Sequence, residues 1–222
     1  MNVDLFPVAL SLRVAAVAIV LVTPAGVALA WLQAKRRYRG RALVDALILL
    51  PLVLPPSVLG YFLIVLLGRQ GLLGGALESV LGLRLVFSPA AAVIASCVVA
   101  LPLLVKTAQP ALEAVPREME DVARSLGLSE PRVFARVTLP GAWRGIAAGV
   151  VMAFARAVGE FGATLMFAGN IPGRTNTMPL EIFAAYQAGD DGRALAYVLV
   201  LTALSCGVVL LAGQLAPRGF RS

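Results

Sequence analysis

The stretch Leu112–Pro140, LEAVPREMEDVARSLGLSEPRVFARVTLP, is the one long polar interval between two strongly apolar halves of the chain. It reads as two short helices joined at a glycine. Pro116 suits a first helical turn, where its missing N–H costs nothing, and Glu118, Glu120 and Asp121 put negative charge near the positive end of the helix dipole. Arg124 lies near the other end, and Gly127 follows Leu126 where a left-handed residue closes a helix. Met119, Val122, Ala123 and Leu126 recur at i, i+3, i+4 and i+7, an apolar stripe with charges on the other face; such a helix docks on something. Ser129 is placed to cap a second helix, with Pro131 in its first turn and Val133, Phe134 and Val137 on its buried side, until Pro140 stops it.

On either side of this interval the chain is built for lipid. Of its 222 residues 59% are hydrophobic and 14% charged, with a mean hydropathy of +0.88, which excludes the soluble globular classes. A transmembrane helix needs roughly 20 mainly apolar residues, and five stretches qualify: Ala9–Leu32, Ala42–Leu67, Pro89–Thr107, Gly145–Ala168 and Ala194–Ala216. The expectation is an all-α membrane bundle over residues 1–222, a single domain with its polar loop at 108–143.

The charges orient it. Lys35, Arg36, Arg37, Arg39 and Arg41 follow the first span, Lys106, Arg117, Arg124, Arg132, Arg136 and Arg144 surround the third-to-fourth connection, and Arg218 and Arg221 follow the fifth. The opposite side has only Arg69, Arg84, Arg174 and Arg193. The positive-inside rule then predicts an N-terminus outside, a C-terminus inside and a cytosolic loop. The formal net charge of +7 does not point to nucleic acid, because these cations sit at span ends without interleaved aromatic platforms. Ala28-Leu29-Ala30 imitates a signal-peptidase site, but the apolar run is long, Asp4 and Arg13 replace a basic n-region, and a Lys-Arg cluster follows; a retained span is expected.

Several chemistries are excluded by what the chain lacks. It has no histidine, which removes His-based zinc sites and Ser-His-Asp triads. Cys97 and Cys206 lie in apolar spans, where they act as small hydrophobic residues. No Gly-x-x-x-x-Gly-Lys-[Ser/Thr] phosphate loop is present, so ATP is not bound here.

Two spans carry more than hydrophobicity. The second contains Leu50-Pro51-Leu52-Val53-Leu54-Pro55-Pro56 and then Gly60. Interior prolines remove backbone hydrogen bonds and kink or break a helix, so Pro55 and Pro56 mark either a pore-lining mobile helix or a kinked packing helix. In the fourth, Gly145, Gly149 and Ala153 recur every fourth residue, with Ala155 and Gly159 on an adjacent face, the pattern that lets helices approach closely. Arg156 and Glu160, four apart, can face each other; ionisable groups at this depth cost roughly 2.5–3.5 kcal/mol and turn away from lipid. They border a translocation path, or they form a structural pair that fixes helix orientation or a dimer contact. The third span, rich in small residues, carries no chemical signal.

The central interval resembles the cytoplasmic EAA loop of ABC importer permeases. The pattern falls on the acidic pair Glu120 and Asp121, then Ala123, Gly127, Val137, Leu139 and Pro140, with Val122 where an alanine is usual. The Leu50–Pro56 run and Gly159-Glu160-Phe161-Gly162-Ala163 are similar to sulfate and molybdate permeases, and Gly68-Arg69-Gln70-Gly71 and Asn170-Ile171-Pro172-Gly173 to the molybdate branch. The resemblance implies a type I importer permease subunit for an oxyanion, molybdate or tungstate, without catalytic activity of its own, in the cytoplasmic (inner) membrane. It implies two copies around one pathway, cytoplasmic ATPase subunits that bind the ATP and dock on the loop, an extracytoplasmic oxyanion-binding protein, and lipid as the surrounding solvent. Glu120 and Asp121 then contribute polar contacts to the ATPase cleft, Ala123 and Gly127 close approach, and Leu139 and Pro140 the coupling geometry. A sulfate or thiosulfate permease is the alternative within the class. A self-sufficient secondary transporter needs an inverted repeat or embedded carboxylate chain, and a membrane enzyme needs an acid-base constellation; neither is visible.

Overall fold

The computed structural model describes residues 4–71, 73–82 and 84–215, which form helices joined by short connections. Helix α1 (Leu5–Lys35) begins on Asp4, whose carboxylate accepts the Phe6 N–H at 2.9 Å. Helices α2 (Arg41–Val53) and α3 (Pro56–Leu67) follow, then α4 (Gly74–Leu81) and α5 (Pro89–Glu113). Ser88 caps α5 through the Ala91 N–H. The polar interval holds α6 (Arg117–Ser125) and α7 (Glu130–Val133), and a π turn at Phe134–Thr138 leads into α8 (Leu139–Val158). Short helices α9 (Gly162–Phe167) and α10 (Met178–Gln187) precede the final α11 (Asp191–Leu215). Among the described residues four helices are long and apolar enough to span a membrane, and α2 with α3 makes a fifth, broken span.

Helix α5 is the central column. Ala91, Ala92, Ala95, Val99, Ala100, Leu104, Val105, Ala108 and Leu112 on it are fully enclosed, packed between α1 and α8. Its alanines are the reason these helices can come so close. A Cβ on Gly145 of α8 would overlap the Ala111 methyl, and one on Gly149 would lie 3.2 Å from the Leu104 carbonyl. The Gly145-Gly149-Ala153 stripe is thus used inside the subunit, against α5, while Gly159 on the adjacent face stays exposed. Gly26 of α1 repeats the device from the other side, with its missing Cβ replaced by the Leu104 side chain.

Three expected boundaries move. The stretch 42–67 is not one rod: at Leu54-Pro55 the chain turns by 114° between α2 and α3. At 1.5 Å per residue neither half reaches across about 30 Å of hydrocarbon, yet the pair must cross, because α1 and α5 run in the same sense. Lys35 at the end of α1 reaches Val115 just beyond the end of α5. Second, Pro140 does not stop a helix. The Leu139 N–H bonds to the Phe134 carbonyl, and this wider turn makes room where the proline ring would meet the carbonyl four residues back. Glu130–Val158 is consequently one helical unit, and the fourth span, expected at 145–168, starts earlier and breaks at Gly159-Glu160-Phe161. Third, α5 continues through Pro110 to Glu113, so the loop expected from 108 begins only at Ala114. Ala216, Arg218 and Arg221 lie outside the described residues.

The connection after α9 is a hydrogen-bonded knot rather than a simple turn. Thr175 Oγ1 accepts from Ile171 N–H and donates to the Gly169 carbonyl, Asn176 donates to Glu181 at 3.1 Å, and Glu181 pairs with Arg193. The Met178 N–H bonds to Ser11 Oγ at 2.7 Å, and Tyr197 on α11 donates to the Asp4 carbonyl. These bonds pin α10 and the start of α11 to the beginning of α1, at the end of the bundle remote from the polar interval.

Close packing of α5 on α8 predicts an asymmetric response to enlarged glycines. Gly145→Leu should lower the unfolding stability of the detergent-purified protein by about 1–3 kcal/mol through overpacking. Gly207→Leu, at an exposed glycine with open space around it, should leave thermal unfolding unchanged.

Candidate functional site

The polar interval is anchored from below by one buried pair. Lys35 Nζ lies 3.2 Å from Glu120 Oε1, with the two side chains only 8% and 4% exposed. The same ammonium donates to the Val115 carbonyl at 2.7 Å, and Thr138 Oγ1 donates to Glu120 Oε1 at 2.7 Å. Four segments meet here: the end of α1, the residues after α5, α6, and the π turn that opens α8. Both charges are paired and hydrogen-bonded, the condition under which burial is tolerable.

This geometry separates the two members of the acidic pair. Glu120 faces into the subunit and has no surface to offer an ATPase, whereas Asp121 is exposed and bonds Arg124 at 2.6 Å. The apolar stripe is turned outward as well: Met119, Val122 and Leu126 are 58%, 60% and 75% exposed, and only Ala123 is buried. Ala123 lies on the border of both faces. A hairpin packed merely on its own bundle would bury that stripe; this one presents it.

Gly127 ends α6 with φ at +84°. The Leu128 N–H bonds to the Ala123 carbonyl and the Gly127 N–H to the Arg124 carbonyl, a Schellman closure that favours glycine at this position. Nothing lies within 4 Å of where its Cβ would be, so its need here is backbone conformation. Leu139 is half-buried against the Val115 and Ala142 region, and Pro140 is exposed.

An exposed ionic network surrounds the hub. Arg124 donates to Glu130 Oε1 at 2.7 Å, and Arg36 reaches Glu130 at 3.4 Å. The hydrogen bond to Glu130 holds the Arg124 guanidinium above its ordinary range, and the same bond, with the charges of Arg124 and Arg36, holds the Glu130 carboxyl below the usual carboxylate range. A depressed carboxyl contributes stability above its unfolded pKa and loses it as pH falls through the folded one. Being exposed, this contribution is small.

In the membrane part, the broken α2–α3 span abuts the break between α8 and α9. A Cβ on Gly162 would lie 2.7 Å from the Pro56 Cβ, and one on Gly60 would lie 2.6 Å from the Met166 Cβ. Irregular backbone at membrane depth is found where protein or a watery path covers it. Glu160, 3% exposed, sits in the break of α8 and α9. Its carboxylate pairs with Arg156 at 2.8 Å and accepts the Ala163 N–H at 2.8 Å. The pair foreseen from the i,i+4 spacing thus forms, and Glu160 ties α8 to α9 across the break, while the Arg156 side chain remains 29% exposed. Pro55 and Pro56 are both exposed beside it.

Lys35 and Thr138 carry no signal in the sequence that separates them from their neighbours. Lys35 is the first of a basic cluster whose topological meaning hides its pairing. Thr138 would need the π turn to be known before its direction could be. No group of three or more metal-ligating side chains occurs among the described residues.

Comparison with known proteins places this arrangement. Residues 23–220 match the family described as the binding-protein-dependent transport system inner membrane component, and the chain belongs to that family of multi-pass inner-membrane permeases. The molybdenum transport system permease protein ModB of Escherichia coli (strain K12) is 44% identical over 189 residues, 84% of this chain and 82% of the relative. ModB of Haemophilus influenzae is 41% identical over 210 residues, 94% and 92% of the two chains. Among solved structures, a bacterial ABC transporter importing alginate superposes with a TM-score of 0.73 at 14% identity, covering 98% of this chain and 80% of that one. The MetNI methionine ABC transporter, inward facing, gives 0.66 at 16%, covering 94% and 90%. The fold is that of a type I ABC importer permease.

Removing one partner of the buried pair strands the other. Lys35→Met or Glu120→Met should each cost about 3–5 kcal/mol of unfolding stability, and the double substitution Lys35→Met/Glu120→Met should recover most of it. A double-mutant cycle by thermal unfolding measures this; additive losses would mean the pair is not coupled.

Proposed function

We propose that this chain is the membrane-spanning, non-catalytic subunit of an ATP-driven importer that carries molybdate, with tungstate, into the cell. Identity above 40% with molybdenum permeases across most of both chains supports the cargo. The outward apolar stripe on α6, held above a buried charge pair, is the observation that carries the coupling role. Two copies surround the path, the N-terminus lies outside and the C-terminus inside, and an extracytoplasmic oxyanion-binding protein delivers the anion.

An ATPase partner takes Met119, Val122 and Leu126 into its cleft, with Asp121 at the rim. Closure of the nucleotide-bound ATPase dimer moves α6. Because α6 is joined through Glu120 to Thr138, and Thr138 leads directly into Leu139, Pro140 and α8, the movement passes to α8 without slack. Glu120 in this account is the internal fastener and Asp121 the contact. Gly127 permits the tight turn between α6 and α7. At the far end α8 reaches Arg156 and Glu160, beside Pro55 and Pro56. Shifting these two interruptions relative to one another opens one gate as it closes the other, an alternation driven by a difference in binding free energy between two states. Arg156, with donors left over after pairing, offers favourable potential to a passing dianion.

Reconstituted vesicles test this. With the ATPase partner present, binding protein loaded with molybdate or tungstate should stimulate ATP hydrolysis and uptake, and sulfate-loaded protein should not. Stimulation by sulfate alone would move the cargo to the sulfate branch, and nucleotide-free transport by this subunit would refute the importer. Val122→Asp should lower stimulated hydrolysis at least about ten-fold, because a buried unpaired carboxylate costs several kcal/mol, while insertion and thermal unfolding stay normal. Arg156→Gln should reduce uptake with ATPase docking intact; unchanged uptake would leave Arg156 a structural partner of Glu160.

A further inference from the structure

Two adjoining cavities at the inner end of the bundle differ sharply in chemistry. One, of about 600 Å³, is an apolar groove between α1 and the α7–α8 segment, walled by Pro24, Val27, Ala28, Trp31, Leu139 and Ile146. The other, of about 350 Å³, is polar and includes Lys35, Arg36, Arg117 and Arg124. They share Trp31, Glu130 and Phe134. Trp31 and Phe134 meet edge to face at 5.9 Å, and the Arg36 guanidinium lies over the Trp31 ring at 5.3 Å. Tryptophan at the level where a span gives way to a basic cluster marks the interfacial depth of a membrane. The groove therefore lies at acyl-chain depth and the polar cavity at headgroup depth.

The polar cavity has four cations against three carboxylates, Glu120, Asp121 and Glu130. All three carboxylates are engaged: Glu120 by Lys35 and Thr138, Asp121 by Arg124, and Glu130 by Arg124 and Arg36. Arg117 is exposed and has no ionic partner among the described residues, so the spare charge is positive. Arg37 and Arg39 follow Arg36 on the connection to α2.

We infer that this paired site binds one anionic phospholipid of the inner leaflet, with an acyl chain in the Val27–Ile146 groove and its phosphate beside Arg117 and Arg36. An aqueous anion would not explain the apolar half, and a zwitterionic lipid, whose own cation offsets its phosphate, would leave the spare positive charge uncompensated. A basic pocket between spans on the cytoplasmic side is the setting in which anionic headgroups are held. The occupant would sit against the hub that carries motion from α6 to α8, independently of which oxyanion is transported.

The full transporter, reconstituted in liposomes with its ATPase partner, can be probed with phosphatidylglycerol bearing a photoactivatable acyl chain, followed by peptide mapping. Label is expected on residues 23–31 and 139–146, displaced by unlabelled phosphatidylglycerol in preference to phosphatidylcholine of the same chains. Ala28→Trp, at an exposed position on the groove wall, should abolish that label. Arg117→Gln should reduce the preference about five-fold, the worth of about 1 kcal/mol for one surface cation; it carries the test if the tryptophan variant does not assemble. Equal displacement by both lipids, or label unaffected by Ala28→Trp, would overturn the site. Cross-linking of Ala28→Cys to a second copy, in a background without Cys97 and Cys206, would give the groove to a subunit interface instead and overturn it too.

Discussion

A lysine and a glutamate removed from water, Lys35 and Glu120, hold together the end of the bundle that carries the polar interval. Their attraction alone would not repay desolvation. What makes the pair sustainable is that the Val115 carbonyl and the Thr138 hydroxyl complete its hydrogen bonds, and each of those belongs to a different segment. The energetic requirement that no buried charge be left unpaired therefore becomes a geometric one: α1, α5, α6 and the entry to α8 cannot separate without exposing or stranding a charge. A loop that would otherwise be free to tilt is made into a rigid attachment. The coupling role proposed for this loop needs that property.

The interruptions of the helices lie elsewhere, in the backbone of the membrane part. One span is broken at Leu54-Pro55, the fourth ends at Gly159-Glu160-Phe161 before the short α9, and the two interruptions lie against each other through Pro56 and Gly162. Each break frees backbone groups that lipid cannot satisfy, and Glu160 answers one of them by accepting the Ala163 N–H while balancing Arg156. The rigid column of α1, α5 and the lower part of α8, close-packed through Gly26, Gly145 and Gly149, contrasts with this neighbourhood. Motion imposed at α6 would travel along the packed column and be expressed where the ladders are interrupted.

The polar face at the same end of the bundle also illustrates how one set of basic residues serves several purposes. Lys35 is consumed internally, Arg36 and Arg124 share Glu130, and Arg117 has no ionic partner among the described residues. A net-charge count treats them alike. Burial and partners separate the structural cation from those available to a headgroup or a neighbouring subunit.

Much of the architecture was legible in the residues because the bilayer leaves few choices. Apolar runs of the right length must become helices, basic clusters must stay on one side, a glycine after Leu126 must close a helix, and Gly145-Gly149-Ala153 must be approached closely by something. The Arg156–Glu160 pair was legible from spacing for the same reason. Tertiary structure alone decided which way α6 faces, that Glu120 turns inward while Met119 and Val122 turn out, that Pro140 is absorbed by a π turn rather than ending a helix, and that the prolines of the second span bend it by 114°. Helical periodicity specifies which residues share a face. The direction of that face depends on partners such as Lys35, about 85 positions earlier in the chain, and a local pattern contains no record of them.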